Sequence, residues 1–177
     1  MRRYIALVAW LAVAACSSSS AAATPSSSPS PSVRRSPVAQ AQIVPGGCGG
    51  TQMYRGGEPD WLTAAGAGNN PNFLPYAISN PATAAGFIFG YPLQVGPRAS
   101  GAANKIMWVV GIPRAGNPLR ITGHPQNATE PTIDQSFPAD SGPGEIYPSI
   151  VDVPSAGCWH FDLAWGSNRT SVDLVYG

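Results

Sequence analysis

The chain has 177 residues, of which 44% are hydrophobic and only 11% charged, with 20 glycines, 19 prolines and a formal net charge of +1. Its single lysine, Lys105, and the lack of any basic cluster speak against nucleic acid as a partner. So few charges also give little electrostatic steering, and neutral or apolar surfaces are the expected contacts.

Taken in chain order, the first element is an address. Arg2 and Arg3 precede a nine-residue apolar run from Ile5 to Val13, and Val13-Ala14-Ala15-Cys16 supplies small residues ahead of a cysteine. The run is about half of the roughly 20 residues that a membrane-spanning helix needs. Residues 1–15 resemble a bacterial lipoprotein signal peptide, which implies that Cys16 is acylated and becomes the first mature residue. The implied location is the extracytoplasmic face of the cell membrane, held through lipid, since several acyl chains anchor firmly where one does not. An ordinary secretory signal cut after Ala21-Ala22-Ala23 is the alternative.

Residues 16–44 are dominated by serine, alanine and proline, with Arg34 and Arg35 their only charges. Such a stretch cannot bury enough apolar surface to offset its ordering entropy, so it is predicted to be a disordered tether. A flexible chain of that length spans on the order of 30 Å. Residues 45–177 then suffice for one hydrophobic core. With Cys16 lipidated, Cys48 and Cys158 remain in an oxidising compartment, and a disulfide between them is the expectation.

Residues 46–80 are rich in glycine, asparagine and proline and carry no clear strand signal. Within them, Tyr54, Trp61, Phe73 and Tyr76 form a candidate binding surface, because loop aromatics can offer a platform to sugar rings or a partner protein. Capping the open end of a sandwich is the simpler role for the same residues. Glu58 and Asp60, beside Trp61, are a carboxylate pair of the kind glycoside hydrolysis uses, yet Gly56-Gly57 and Pro59 read as exposed loop.

Beyond this stretch, β-prone runs recur at 85–91, 105–112, 118–124, 146–153, 158–165 and 170–176, with no long segment at helical spacing. The run at 105–112 is continuously apolar, as in a central strand covered on both faces. In 118–124, Leu119, Ile121 and Gly123 share one face and Arg120 and Thr122 the other. In 158–165, Trp159, Phe161, Leu163 and Trp165 define a core face, while Cys158, His160, Asp162 and Ala164 point away. Gly166-Ser167-Asn168-Arg169 is turn chemistry, and Val172, Leu174 and Tyr176 continue the alternation in a last antiparallel strand. The predicted fold class is an all-β antiparallel sandwich. A charge at Phe161 or Leu163 is expected to unfold it and a charge at His160 to be tolerated. With Cys158 pointing outward, the disulfide is expected to clamp an N-terminal segment over the sheet.

The chemistry-bearing residues are sparse. His160, Asp162 and a nearby Asp173 could bind a divalent cation, but a secure site needs three or four ligands, and a solvated polar face explains them more simply. Met53, Met107 and His124 are soft ligands of the type copper carriers use, although Met107 sits in an apolar run. His124, Asp134 and Ser141 lie too close in sequence for a trypsin-like triad, and no other catalytic or phosphate-binding motif is present. Asn127-Ala128-Thr129 and Asn168-Arg169-Thr170 match the glycosylation sequon in turn-like segments. No catalytic residue, metal or cofactor is assigned.

Three segments carry a further resemblance: Ala103-Asn104-Lys105-Ile106-Met107-Trp108-Val109-Val110, Leu119-Arg120-Ile121-Thr122-Gly123-His124, and Tyr147-Pro148-Ser149 leading to Pro154-Ser155-Ala156-Gly157-Cys158-Trp159. Together they resemble a group of small bacterial secreted lipoproteins of no established activity, marked by a Pro-x-x-Gly-Cys-Trp element. The resemblance implies an immunoglobulin-like sandwich and supplies no substrate. The expected function is that of a non-enzymatic binding or envelope-structural module whose partner is cell-wall glycan or an envelope protein. A small-molecule or metal carrier is the alternative, and a hydrolase comes third.

Overall fold

The computed structural model describes residues 40–68, 70, 73–97 and 103–177. The segment read as a signal peptide, Cys16 and the segment read as a tether, up to residue 39, lie outside the described residues. Among the described residues, ten strands form two antiparallel sheets. Sheet A has the order β1 (Gln42–Val44), β2 (Met53–Arg55), β3 (Tyr76–Ile78), β4 (Ala84–Ile88), β5 (Lys105–Val110), β8 (Ile146–Ile150). Sheet B has the order β10 (Asn168–Tyr176), β9 (Gly157–Trp165), β6 (Leu119–Pro125), β7 (Ile133–Phe137). Setting aside the N-terminal meander, β4-β5-β8 faces β10-β9-β6-β7, the strand order of an immunoglobulin-like sandwich.

Burial follows the period of two. On β9, Trp159, Phe161, Leu163 and Trp165 are buried, while Cys158, His160 and Ala164 are half-buried and Asp162 is exposed. Each such large apolar side chain contributes about 1.5–3 kcal/mol when fully buried. They meet Ile106, Trp108 and Val110 of β5 in one core cluster with Leu119, Ile121, Val172, Leu174 and Tyr176. Two polar side chains drawn into this layer are bonded together: the Trp108 indole donates to Ser149 Oγ at 3.0 Å, and that hydroxyl donates to the Ile106 carbonyl at 2.9 Å.

Strand β5 is covered on both faces, as its continuous apolar run predicts. Its Val109 and Met107 join a second cluster with Tyr76, Ala85, Phe87 and Ile146 on the outer face of sheet A. A short helix, α1 (Asp60–Leu62), continuing into a π turn (Thr63–Ala67), lies over that face and buries Leu62 completely.

Three expectations need correction. The domain does not start at residue 45: Gln42–Val44, placed in the tether, pairs with β2. The stretch 46–80 contains strands β2 and β3 and the helix that covers sheet A. No β-prone run marks strand β7; none of its five residues is fully buried, so its apolar signal is weak. In the other direction, the runs at 85–91, 105–112 and 146–153 stop as strands at Ile88, Val110 and Ile150, although Val151 and Val153 stay buried in the core.

The free edge of β10 is closed by two isolated bridges, Gly47 with Leu174 and Asn80 with Ser171. Cys48 and Cys158 are joined, with Cα atoms 6.0 Å apart. The bond ties residues 46–51 across one corner of sheet B on its outward side, the clamp that the outward direction of Cys158 predicts.

Candidate functional site

The aromatic platform expected from Tyr54, Trp61, Phe73 and Tyr76 does not assemble. Tyr76 is buried to 1% exposure, its hydroxyl donating to the carbonyls of Gly56 and Gly57 at 3.2 Å each. Tyr54 is half-buried with its ring 5.7 Å from that of Tyr76, and Trp61 is half-buried against the same cluster. Only Phe73 stands free, at 59% exposure. The cause is packing. The outer face of sheet A exposes Phe87 and Val109 unless something covers it, and these residues are that cover.

Other constellations also separate. Glu58 accepts from Asn70 Nδ2 at 2.9 Å and so fastens the covering loop. Met53 lies in the inner core, Met107 on the outer face of sheet A and His124 on sheet B, so the three soft ligands never meet. The His124 ring contacts the carbonyls of Pro125 and Ala128 through Nδ1, both at 2.9 Å, and Asp134 pairs with Arg120. No triad forms from these groups.

What the structure does assemble is the outer face of sheet B, where strand register stacks the polar side chains in rows. Arg120 lies opposite Ala164, which lies opposite Arg169. The next row is Asp134, Thr122, Asp162 and Ser171, and the third is His124, His160 and Asp173. Two long arginines flank the single methyl of Ala164, and the dip between them opens a cleft of about 380 Å³ whose lining includes Thr122 and Asp162.

The charges differ in how far they are already committed. Arg120 donates from Nε to Asp134 Oδ1 at 2.9 Å and from Nη2 to Oδ2, a bidentate pair. That bonding holds the Asp134 carboxyl below the usual carboxylate range and raises the Arg120 guanidinium. Arg169 instead donates from Nη1 to the carbonyls of Gly166 and Asn168, at 2.9 and 2.6 Å, and pairs with no carboxylate among the described residues. Asp162, whose side chain is 62% exposed, has His160 Nε2 as its one ion-pair partner among the described residues, at 3.5 Å.

His160 and Asp173 serve the clamp. His160 Nδ1 lies 2.6 Å from Asp173 Oδ1. The Gly50 amide reaches the other carboxylate oxygen at 3.4 Å, and the Asp173 amide donates to Thr51 Oγ1 at 2.8 Å. At Gly49, φ 55°, a Cβ would stand 2.3 Å from Asp173 Oδ2 and would push that carboxylate out of its clamp contacts. No hydroxyl is hydrogen-bonded to His160 among the described residues, so this pair has no nucleophile to activate. No group of three His, Cys, Asp or Glu side chains among the described residues is placed to hold a metal ion.

No protein-family model matches the chain, and no characterised protein or solved structure does.

The rows on sheet B escaped sequence reasoning for one reason. Alternation assigns Arg120 and Ala164 each to an outward face and the sequence reads Arg169 as turn, but only the pairing register of β6, β9 and β10 puts the three side by side.

Proposed function

We propose that this protein is a lipid-anchored, extracytoplasmic binding module of the cell envelope, and that it meets its partner through the outer face of sheet B. One observation supports this above the others: the two outer faces are treated differently. Sheet A is roofed by α1, the π turn and Leu74 in a closed apolar cluster. Sheet B keeps a polar, indented face on which Arg169 meets no carboxylate among the described residues and Asp162 meets His160 only at 3.5 Å. Such uncommitted polar groups in a concavity are what a recognition site requires. The address supports an envelope partner, either cell-wall glycan or an envelope protein, and Cys16 supports the lipid anchor.

Retention on purified cell-wall sacculi and on envelope-protein fractions tests the reading. Ala164→Trp fills the dip from the solvent side without entering the core and is expected to abolish retention. Phe73→Ser removes the one exposed aromatic of the covering segment and is expected to leave it unchanged. Retention lost in the Phe73 variant but kept in the Ala164 variant places the partner on the other face and sinks the assignment. Metabolic labelling with a clickable fatty acid should mark the wild type and not Cys16→Ala.

A further inference from the structure

We infer that the cleft over Ala164 is a subsite for a carboxylate-bearing sugar, gripped by the Nε/Nη2 edge of Arg169 and by Asp162. The inference rests on reading the outer face of sheet B as the ligand face, and it adds the ligand's chemistry.

Donor accounting leads to the carboxylate. A guanidinium carries five N–H donors in a fixed fork. Arg120 has its Nε and one terminal nitrogen on Asp134, so its charge is already answered. Both bonds from Arg169 leave through Nη1 to carbonyls of its own turn. They orient the group and leave the Nε and Nη2 hydrogens, the side-on pair that takes a carboxylate bidentately. Two neutral carbonyls do not compensate a positive charge, so the exposed guanidinium is free to take an anion.

Acceptor accounting leads to the hydroxyls. Asp162 belongs to the row next to Arg169 and is diagonal to it across the β9–β10 pair. Ionised carboxylates only accept, so its ligand must bring donors. Thr122, directly across from Asp162 on β6, adds a hydroxyl that can do either. Diagonal neighbours in a sheet start about 7–8 Å apart. That exceeds the one-carbon gap between the carboxylate and ammonium of an α-amino acid, and it suits a ring bearing a carboxylate on one side and hydroxyls on the other. Phosphate would satisfy Arg169 but brings more negative charge beside Asp162. An uncharged sugar would satisfy Asp162 and leave Arg169 unanswered. A cleft of about 380 Å³ is at the scale of one such ring with its substituents.

The test uses the full-length protein in detergent micelles and chemical-shift mapping with N-acetylmuramic acid, set against N-acetylglucosamine, which lacks the carboxylate. N-acetylmuramic acid should shift the resonances of Asp162, Ala164 and Arg169 saturably. Arg169→Gln, at an exposed position, should keep the wild-type spectrum elsewhere and weaken binding at least fivefold. N-acetylglucosamine should bind at least fivefold more weakly than the acid to the wild type and equally to both proteins. Equal binding of the two sugars, or no change in Arg169→Gln, overturns the inference. Retention on sacculi without any shift from the acid sugar overturns it too, while leaving the ligand-face reading intact. Absence of retention on every envelope fraction overturns that reading instead.

Discussion

At Phe161 two residues share one slot. Gly123 of β6 lies opposite it, and a Cβ on that glycine would stand 2.6 Å from Phe161 Cδ1, so the ring rests on its neighbour's backbone. Trp159 at 6.3 Å and Tyr176 at 6.1 Å, measured between centroids, close the remaining sides. Phe161→Asp therefore buries a charge with no partner and opens a cavity at once, and should cost more than about 3 kcal/mol, a large fraction of a domain's ordinary stability. His160→Gln, one residue away and half-buried, should retain the fold with a loss of about 1 kcal/mol from the Asp173 contact. Urea unfolding of the two variants checks the contrast, and similar midpoints would contradict it. The inward and outward assignment of these residues was legible from alternation alone. The sign of charge that position 160 tolerates was not. Asp162 and Asp173 both flank it, so an added carboxylate meets repulsion where an added cation does not.

Between elements, the strap of residues 46–51 is held by hydrogen bonds and by one covalent bond. Val175 donates its amide to the Gly46 carbonyl at 2.9 Å, and Cys48 donates to the Asp173 carbonyl at 3.3 Å. The disulfide joins residues separated by 110 positions. Chain entropy alone puts the stabilisation from closing such a loop at about 4–5 kcal/mol, an upper figure because native strain subtracts from it. The double variant Cys48→Ser/Cys158→Ser should lose stability of that order or somewhat less. It should also lose amide-exchange protection first at residues 48 and 175, while the β6–β9 pair remains protected. Unchanged protection at those two amides would mean the strap holds itself without the bond. The strands that the sequence makes legible are those with five or more residues and an apolar face, namely β4, β5, β6, β8, β9 and β10. Strands β1, β2 and β3 have three residues each, too few for a period to register, and their pairing is imposed by neighbours. The candidate site was hidden at the same level, since a row of three strands exists only once their registers are fixed.

Across the whole molecule, three buried tyrosines tie stability to alkaline pH. Tyr76 lies under the cover of sheet A, Tyr147 at the Arg114 corner and Tyr176 in the central core. Burial is the first cause in each case. It pushes the Tyr76 phenol up to about 12, helped by Glu58 and Tyr54, and raises Tyr176 strongly, helped by Asp152. Tyr147 is also raised, with Glu145 adding to burial and Arg114 opposing it. Their phenols in the unfolded chain titrate near 10. Below that pH both states hold the proton and the stabilisation is fully present. Above it the unfolded chain releases protons that the folded domain keeps, so the domain weakens by up to about 1.4 kcal/mol per pH unit for each tyrosine. The Tyr76 contribution is spent by about pH 12, having cost roughly 2–3 kcal/mol. Urea midpoints taken from pH 8 to 12 should stay level to about pH 10 and then fall with a slope steeper than one proton. The part of the phenolate absorbance that Tyr76→Phe removes should appear only as the domain unfolds. Tyr76→Phe should start less stable, having lost two hydrogen bonds to Gly56 and Gly57, and then fall less steeply. A level midpoint between pH 10 and 11.5, or Tyr76 phenolate forming in the folded protein, would show that the Tyr76 hydroxyl reaches water and that the cover over sheet A is open.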